Sequence, residues 1–247
     1  DFELYLRTEN HCSHNTVWVY LMPLRKMISI AIENGWLLRD PVIKHEISME
    51  ETERAFLTNE ELKRLMDMRF KKPKYELVRD LFVFCCFTGL RYSDAAKLKR
   101  SDIKAEHIEV VTKKTVDALR IDLNDHSRAI LEKYANTPFP NDLALPIISN
   151  EKMNAHLKDL GKLCGIEDMT RIVYFQGNQR FEEVLPKWQL LTTHVARRTF
   201  VVTALQLGIP AEVIMRWTGH SRYEAMKPYI AIVDELKRNS MSRFNSI

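Results

Sequence analysis

Six side chains of this 247-residue chain could together perform one kind of chemistry. Its last quarter holds Thr193-His194-Val195-Ala196-Arg197-Arg198, then Thr218-Gly219-His220-Ser221, then Tyr229. Earlier come Thr88-Gly89-Leu90-Arg91 and Lys113-Lys114-Thr115. Two arginines, two histidines, a lysine and a tyrosine are the groups needed to break a phosphodiester through a covalent tyrosine intermediate without a metal. A tyrosine hydroxyl, with a pKa of about 10, is a poor nucleophile near neutrality and needs deprotonation and charge stabilisation beside it. Arginine forks hold two phosphate oxygens at once and stay charged, and histidine titrates near neutrality. Each residue alone has a plainer reading: His194 in a helix-capping region, Arg197 on a surface, His220 in a turn, Tyr229 in a core. The ordered set carries the argument.

These residues need elements that bring them together. Thr192 or Thr193 can cap a helix running to Leu207, with Gly208 as its stop. His194 and Arg197, three positions apart, share one face of its first turn. Ile209-Pro210 then starts a second helix that runs to about Trp217 and returns a similar distance. Packed as an antiparallel pair, the two helices bring His220 back beside Arg197, near a helix N-terminus that favours an anion. Pro228 biases Lys227 away from helical geometry, so the chain bends there or a helix begins with Pro228 at its first position. Beyond Tyr229, Ile230, Ile232, Val233 and Leu236, then Met241 and Phe244, form an apolar stripe.

Residues 1–47 read as helices, with apolar residues at helical spacing from Val17 to Ile32 and a stop at Asn34-Gly35. The polar stretch 48–54 reads as a linker. A restart follows, with Thr58 as N-cap and Glu61 at N3 of a capping box. A helix is expected over Tyr75–Thr88, then another capped by Ser93 and ending near Asp102. Ile108–Thr112 and Ala118–Leu123 read as a hairpin, and a second hairpin spans Thr170–Leu185 with its turn at Gly177-Asn178. Helices are expected near 125–136 and 152–164. The expected fold is mainly α (α+β): a small helical domain over 1–48, a linker over 49–55, and a helical domain with a small antiparallel sheet over 56–247.

Composition supports a globular chain: 45% hydrophobic and 28% charged residues argue against disorder. Seven glycines and nine prolines favour helices over a sandwich or barrel. No apolar run approaches the roughly 18 residues that span a bilayer, and the first residues lack a signal-peptide pattern. The chain starts without Met, so it is expected to be a piece of something longer. Its four cysteines make no metal-ligand spacing and read as reduced thiols. Residues 1–55 carry a net charge of −3 and the remainder +7, and a basic larger segment suits a polyanionic partner.

The chain resembles the tyrosine recombinases, the phage-integrase family, and most resembles integrases of conjugative transposons. Thr88-Gly89-Leu90-Arg91-Tyr92-Ser93-Asp94 resembles the family's first box, His194-Val195-Ala196-Arg197-Arg198-Thr199-Phe200 the second, and Thr218-Gly219-His220-Ser221 with Tyr229 the third. The resemblance implies a core-type DNA-binding domain before a catalytic domain. It implies that Arg91 and Arg197 clamp the scissile phosphate, that His220 adds a third hydrogen bond and that His194 acts as base or acid. Tyr229 would be the nucleophile. Lys114, with Lys113 as the weaker match, would protonate the departing 5′ oxygen from its hairpin. Asp94 would orient an arginine or cap its helix. The implied partners are double-stranded DNA, further copies in a synaptic tetramer and accessory DNA-bending proteins, with no cofactor, metal or membrane. The implied setting is the bacterial cytoplasm and nucleoid. Two rivals remain at this level. A type IB topoisomerase would use a similar set to relax one duplex. A helix-turn-helix regulator would explain 193–217 but leaves Arg91, the hairpin lysine and Tyr229 as coincidences.

Overall fold

A computed structural model describes residues 1–45, 47–49, 55–112, 118–176 and 179–237. Contacts divide the chain into two units. The smaller comprises 1–53 with 169–185; the larger comprises 54–168 with 186–247. No helix among the described residues is long and apolar enough to cross a membrane.

In the smaller unit, α1 (Phe2–Thr8) packs on α2 (His14–Glu33) through Leu6, Val17 and Leu21. Asn34 and Gly35 end α2, with Gly35 in the left-handed region as the sequence suggests. His45 reaches back to Glu3 at 2.6 Å, and the His14 ring meets the Ser48 carbonyl at 2.8 Å. Strands β3 (Met169–Gln176) and β4 (Gln179–Pro186) pair as the second hairpin. Tyr174 stacks on Phe181 across it, while its expected turn at Gly177-Asn178 lies outside the described residues.

The larger unit opens with the capping box at α3 (Asn59–Asp67). Thr58 Oγ1 accepts from the Glu61 N–H at 3.2 Å, and Glu61 Oε2 accepts from the Thr58 N–H at 2.7 Å. Next comes α4 (Pro73–Thr88), buried on nearly every side from Val78 to Cys86. Such a helix forms the centre of a core, and α8 (Thr193–Gln206) packs along it. Helices α6 (Asp125–Tyr134) and α7 (Asn150–Leu163) cover its other faces. Strands β1 (His107–Val111) and β2 (Ala118–Asp122) pair antiparallel with Val111 opposite Ala118.

One expected helix is corrected. Ser93 caps nothing: α5 is the four-residue Tyr92–Ala95 with Arg91 at its N-cap, and a separate 3₁₀ turn covers Arg100–Asp102. Between them Leu98 is buried, the Ala144 N–H donates to its carbonyl, and Lys99 bridges to Leu143. Burying Leu98 and bridging to the 143–144 segment outweighs local helix propensity.

The end of the unit follows the expected hairpin of helices. Gly208 ends α8, Pro210 is the N-cap of α9 (Ala211–Thr218), and Gly219 is its left-handed C-cap. A 3₁₀ turn over Tyr223–Ala225 leads into α10 (Lys227–Lys237), which packs back on α8. Pro228 sits in the first turn of α10, where a missing N–H costs nothing.

Candidate active site

Arg197 is the hub. It lies in the second turn of α8 and is only 3% exposed. Its Nη1 donates to the Gly89 carbonyl at 2.9 Å and its Nη2 to the Thr218 carbonyl. Those oxygens stand at the C-terminal ends of α4 and α9, where the helix dipoles are negative, so the buried cation meets two favourable fields. Gly89 makes this possible. Its φ of 69° ends α4, and a Cβ there would lie 2.6 Å from Phe200 Cδ1. Burial and, next, the charge of Arg91 lower the Arg197 pKa to about 10, against the opposing pull of Tyr229, Asp94 and Cys85. Arg197 therefore remains charged at neutral pH.

The expected return of His220 is observed, with its Nε2 3.3 Å from Arg197 Nη2. Its Nδ1 is 2.7 Å from Thr218 Oγ1, and that hydroxyl also donates to the Ile214 carbonyl at 2.6 Å. These bonds fit one tautomer: Nδ1–H donates to Thr218, and Nε2 accepts from Arg197. Gly219 lies against Leu119 of β2, which packs the root of the first hairpin beside the His220 loop. Lys113 and Lys114, which follow β1 in sequence, lie outside the described residues.

Arg91 follows directly on the Gly89 turn. Its Nη1 is a buried donor with no hydrogen-bond acceptor among the described residues, and Asp94 Oδ2 stands 3.8 Å away. Asp94 is 3% exposed and its charge is felt by Arg197 as well. The acid is therefore within reach of the fields of both guanidinium groups. Two neighbouring guanidinium groups, one with a donor free to bond, make a site suited to an anion.

Tyr229 is in the first turn of α10 and 6% exposed, packed among Val201, Val202, Ile214 and Met226. Its phenol is near enough for its charge to act on Arg197. His194 is different: it is exposed and lines a cleft of about 540 Å³ together with Arg91. The fold thus gathers Arg91, Arg197, His220 and Tyr229, with His194 on the rim.

Sequence reasoning gave no role to Gly89 and Thr218 as acceptors for Arg197, nor to Asn154, whose Oδ1 accepts from the Thr193 N–H at 2.9 Å and caps α8 from α7. The left-handed glycines behind two helices were the available signal for the first pair; nothing local marks Asn154.

No curated protein sequence matches the chain. Among solved structures, the Tn1549 transposon integrase (residues 82–397, in complex with circular intermediate DNA) superposes with a TM-score of 0.66 at 18% identity, covering 92% of this chain and 78% of that one. A λ integrase fragment, solved as a dimer bound to a COC′ core site, gives 0.63 at 16% identity over 88% and 73% of the two chains. The XerA recombinase gives 0.56 at 17% identity over 97% and 81%. The phage integrase SAM-like domain matches residues 1–47, and the phage integrase family model matches residues 55–235. That match spans well over half of the sequence, so the chain belongs to the phage integrase family, the tyrosine recombinases.

Proposed function

We infer that this chain cleaves and rejoins DNA at specific sites through a 3′-phosphotyrosine on Tyr229, for integration or excision of a mobile element. One observation carries the reading: a buried Arg197 and an Arg91 with an unfilled donor share one centre with Tyr229. A phosphodiester anion there gives Arg91 its missing acceptor and lowers the repulsion between the two guanidinium groups.

In the forward step, the Tyr229 oxygen attacks the scissile phosphorus as the bond to the 5′ oxygen breaks. His194 takes the phenolic proton, and Lys114 gives a proton to the departing oxygen. Arg91, Arg197 and His220 stabilise the added charge of the pentavalent transition state. The phosphotyrosine retains the bond energy, so a 5′ hydroxyl from a second duplex rejoins the strand by the reverse path without ATP. Asp94 holds the two arginines in register.

The partner is double-stranded DNA, bound by more than one copy of the chain. DNA in the Tn1549 structure and the dimer in the λ structure support this. Exchange between two duplexes calls for four protomers, with DNA-bending proteins as helpers.

The test uses a nicked suicide duplex built on a sequence that the protein selects from a random pool. The wild type should form a covalent adduct that survives denaturation, and Tyr229→Phe should form none. Sequence-specific binding without an adduct would point to a DNA-binding regulator. Plasmid relaxation by a lone monomer, without joining of two sites, would point to a topoisomerase.

A further inference from the structure

The cleft that His194 lines extends past the phosphate centre. Its wall is formed by Arg91, Ser93 and Lys97, by Asn150 at the start of α7, and by Thr193 and His194 at the start of α8. Arg197 and His220 do not line it, whereas Arg91 both lines it and acts on Arg197 by its charge, so Arg91 belongs to the buried centre and to this open cleft alike.

The cleft offers donors and no carboxylate. Lys97 is exposed, and its ammonium makes no ion pair among the described residues. Thr193 Oγ1 donates to Asn150 Oδ1 at 3.0 Å, so the oxygen of this amide is used and its N–H groups are the donors it can offer. Ser93 adds an exposed hydroxyl. Two nearby main-chain groups are already used: the Thr193 N–H is held by Asn154, and the Lys152 N–H by Ser149 Oγ at 3.3 Å. The side chains of the site are net positive and continuous with Arg91.

We propose that this cleft binds a second phosphodiester of the cleaved strand, the immediate neighbour of the scissile one, with Lys97 as its principal contact and Asn150 and Ser93 as secondary ones. The inference rests on the function proposed above and deepens it. Successive phosphates of one strand recur at about 3.4 Å of rise, so a strand held at Arg91 must carry its next anion into an adjoining space. A cleft of about 540 Å³ has room for that group and its sugar. Holding two phosphates rather than one fixes the direction of the strand as well as its position. The bond to the leaving oxygen is then aligned with Tyr229 before the reaction starts.

The experiment is a scan with single neutral methylphosphonates, placed one at a time at each phosphate flanking the scissile position of the selected duplex. Equilibrium binding is measured for Tyr229→Phe alone and combined with Lys97→Ala, so cleavage does not enter the readout. In the Lys97-containing protein, one position adjacent to the scissile phosphate should weaken binding by roughly threefold, the share of one phosphate contact. The same methylphosphonate should have no further effect once Lys97 is alanine, and Lys97→Arg should restore the sensitivity. Melting temperature should not change, because Lys97 is exposed. Equal sensitivity at every phosphate with and without Lys97 would overturn the proposal, and so would a coupled position several nucleotides away. Adduct formation by the wild type on the unmodified duplex judges the proposed function separately. An adduct with no Lys97 coupling removes only the second phosphate site.

Discussion

A guanidinium left 3% exposed at Arg197 could easily be a liability, and the two carbonyls that hold it explain why it is not. His220 makes the more delicate contact. In the free site its Nε2 accepts from Arg197, whereas a phosphate oxygen at that nitrogen needs a donor. A neutral ring that donates there leaves Nδ1 to accept from the Thr218 hydroxyl, 2.7 Å away. His220→Asn, whose amide can donate to the same oxygen, should therefore keep more adduct formation than His220→Leu. Equal loss in the two variants would remove the hydrogen-bonding role of His220. Most of this site was legible in the chain. The spacing of Arg197, Gly208 and His220 encodes the return, because helix length is fixed by residue count. The carbonyl partners were not legible, since any residue carries a carbonyl and only the packing of α4 against α8 chooses which ones face Arg197.

Elements depend on contacts that lie far apart in sequence. Glu61 is 1% exposed and pairs with Lys187 at 2.5 Å, 126 residues away, while still accepting from the Thr58 N–H. The Lys187 N–H also donates to the Asp168 carbonyl, and its ammonium stands over the Phe56 ring. Lys187 thereby ties the start of α3 to the chain on both sides of the second hairpin. Lys187→Ala should cost about 3–5 kcal/mol in denaturant unfolding, because it strands a buried carboxylate. Glu61→Gln combined with Lys187→Met should recover most of that loss; if the double variant is as unstable as the single one, the pair is not the cause. The capping box was readable from four adjacent residues, but its tie to Lys187 has no local signature. The opposite failure occurred at Ser93, where good local capping chemistry lost to the burial of Leu98. Thr199 shows the same long reach, accepting from the Leu57 N–H at 2.9 Å. It sits two residues beyond Arg197, so the entry of the chain into the larger unit is bonded to the helix that carries Arg197.

At the scale of the whole molecule, charge is divided as the sequence suggests, with a net −3 over 1–55 and +7 beyond. Affinity for a selected duplex should therefore fall linearly in log–log terms with salt. For six or more phosphate contacts the loss is about a thousandfold between 50 and 200 mM. A shallow slope would mean that few phosphates are held. The two units are also interleaved along the chain, since 169–185 belongs with 1–53. This interleaving orders events during synthesis. Helices α3 to α7 leave the ribosome before the smaller unit has its second hairpin. Only afterwards do α8, α9 and α10 follow, bringing Arg197, then His220, then Tyr229. An interrupted chain that ends within the hairpin therefore has Arg91 but neither Arg197 nor Tyr229. Only a chain read through into α10 can bring these side chains together.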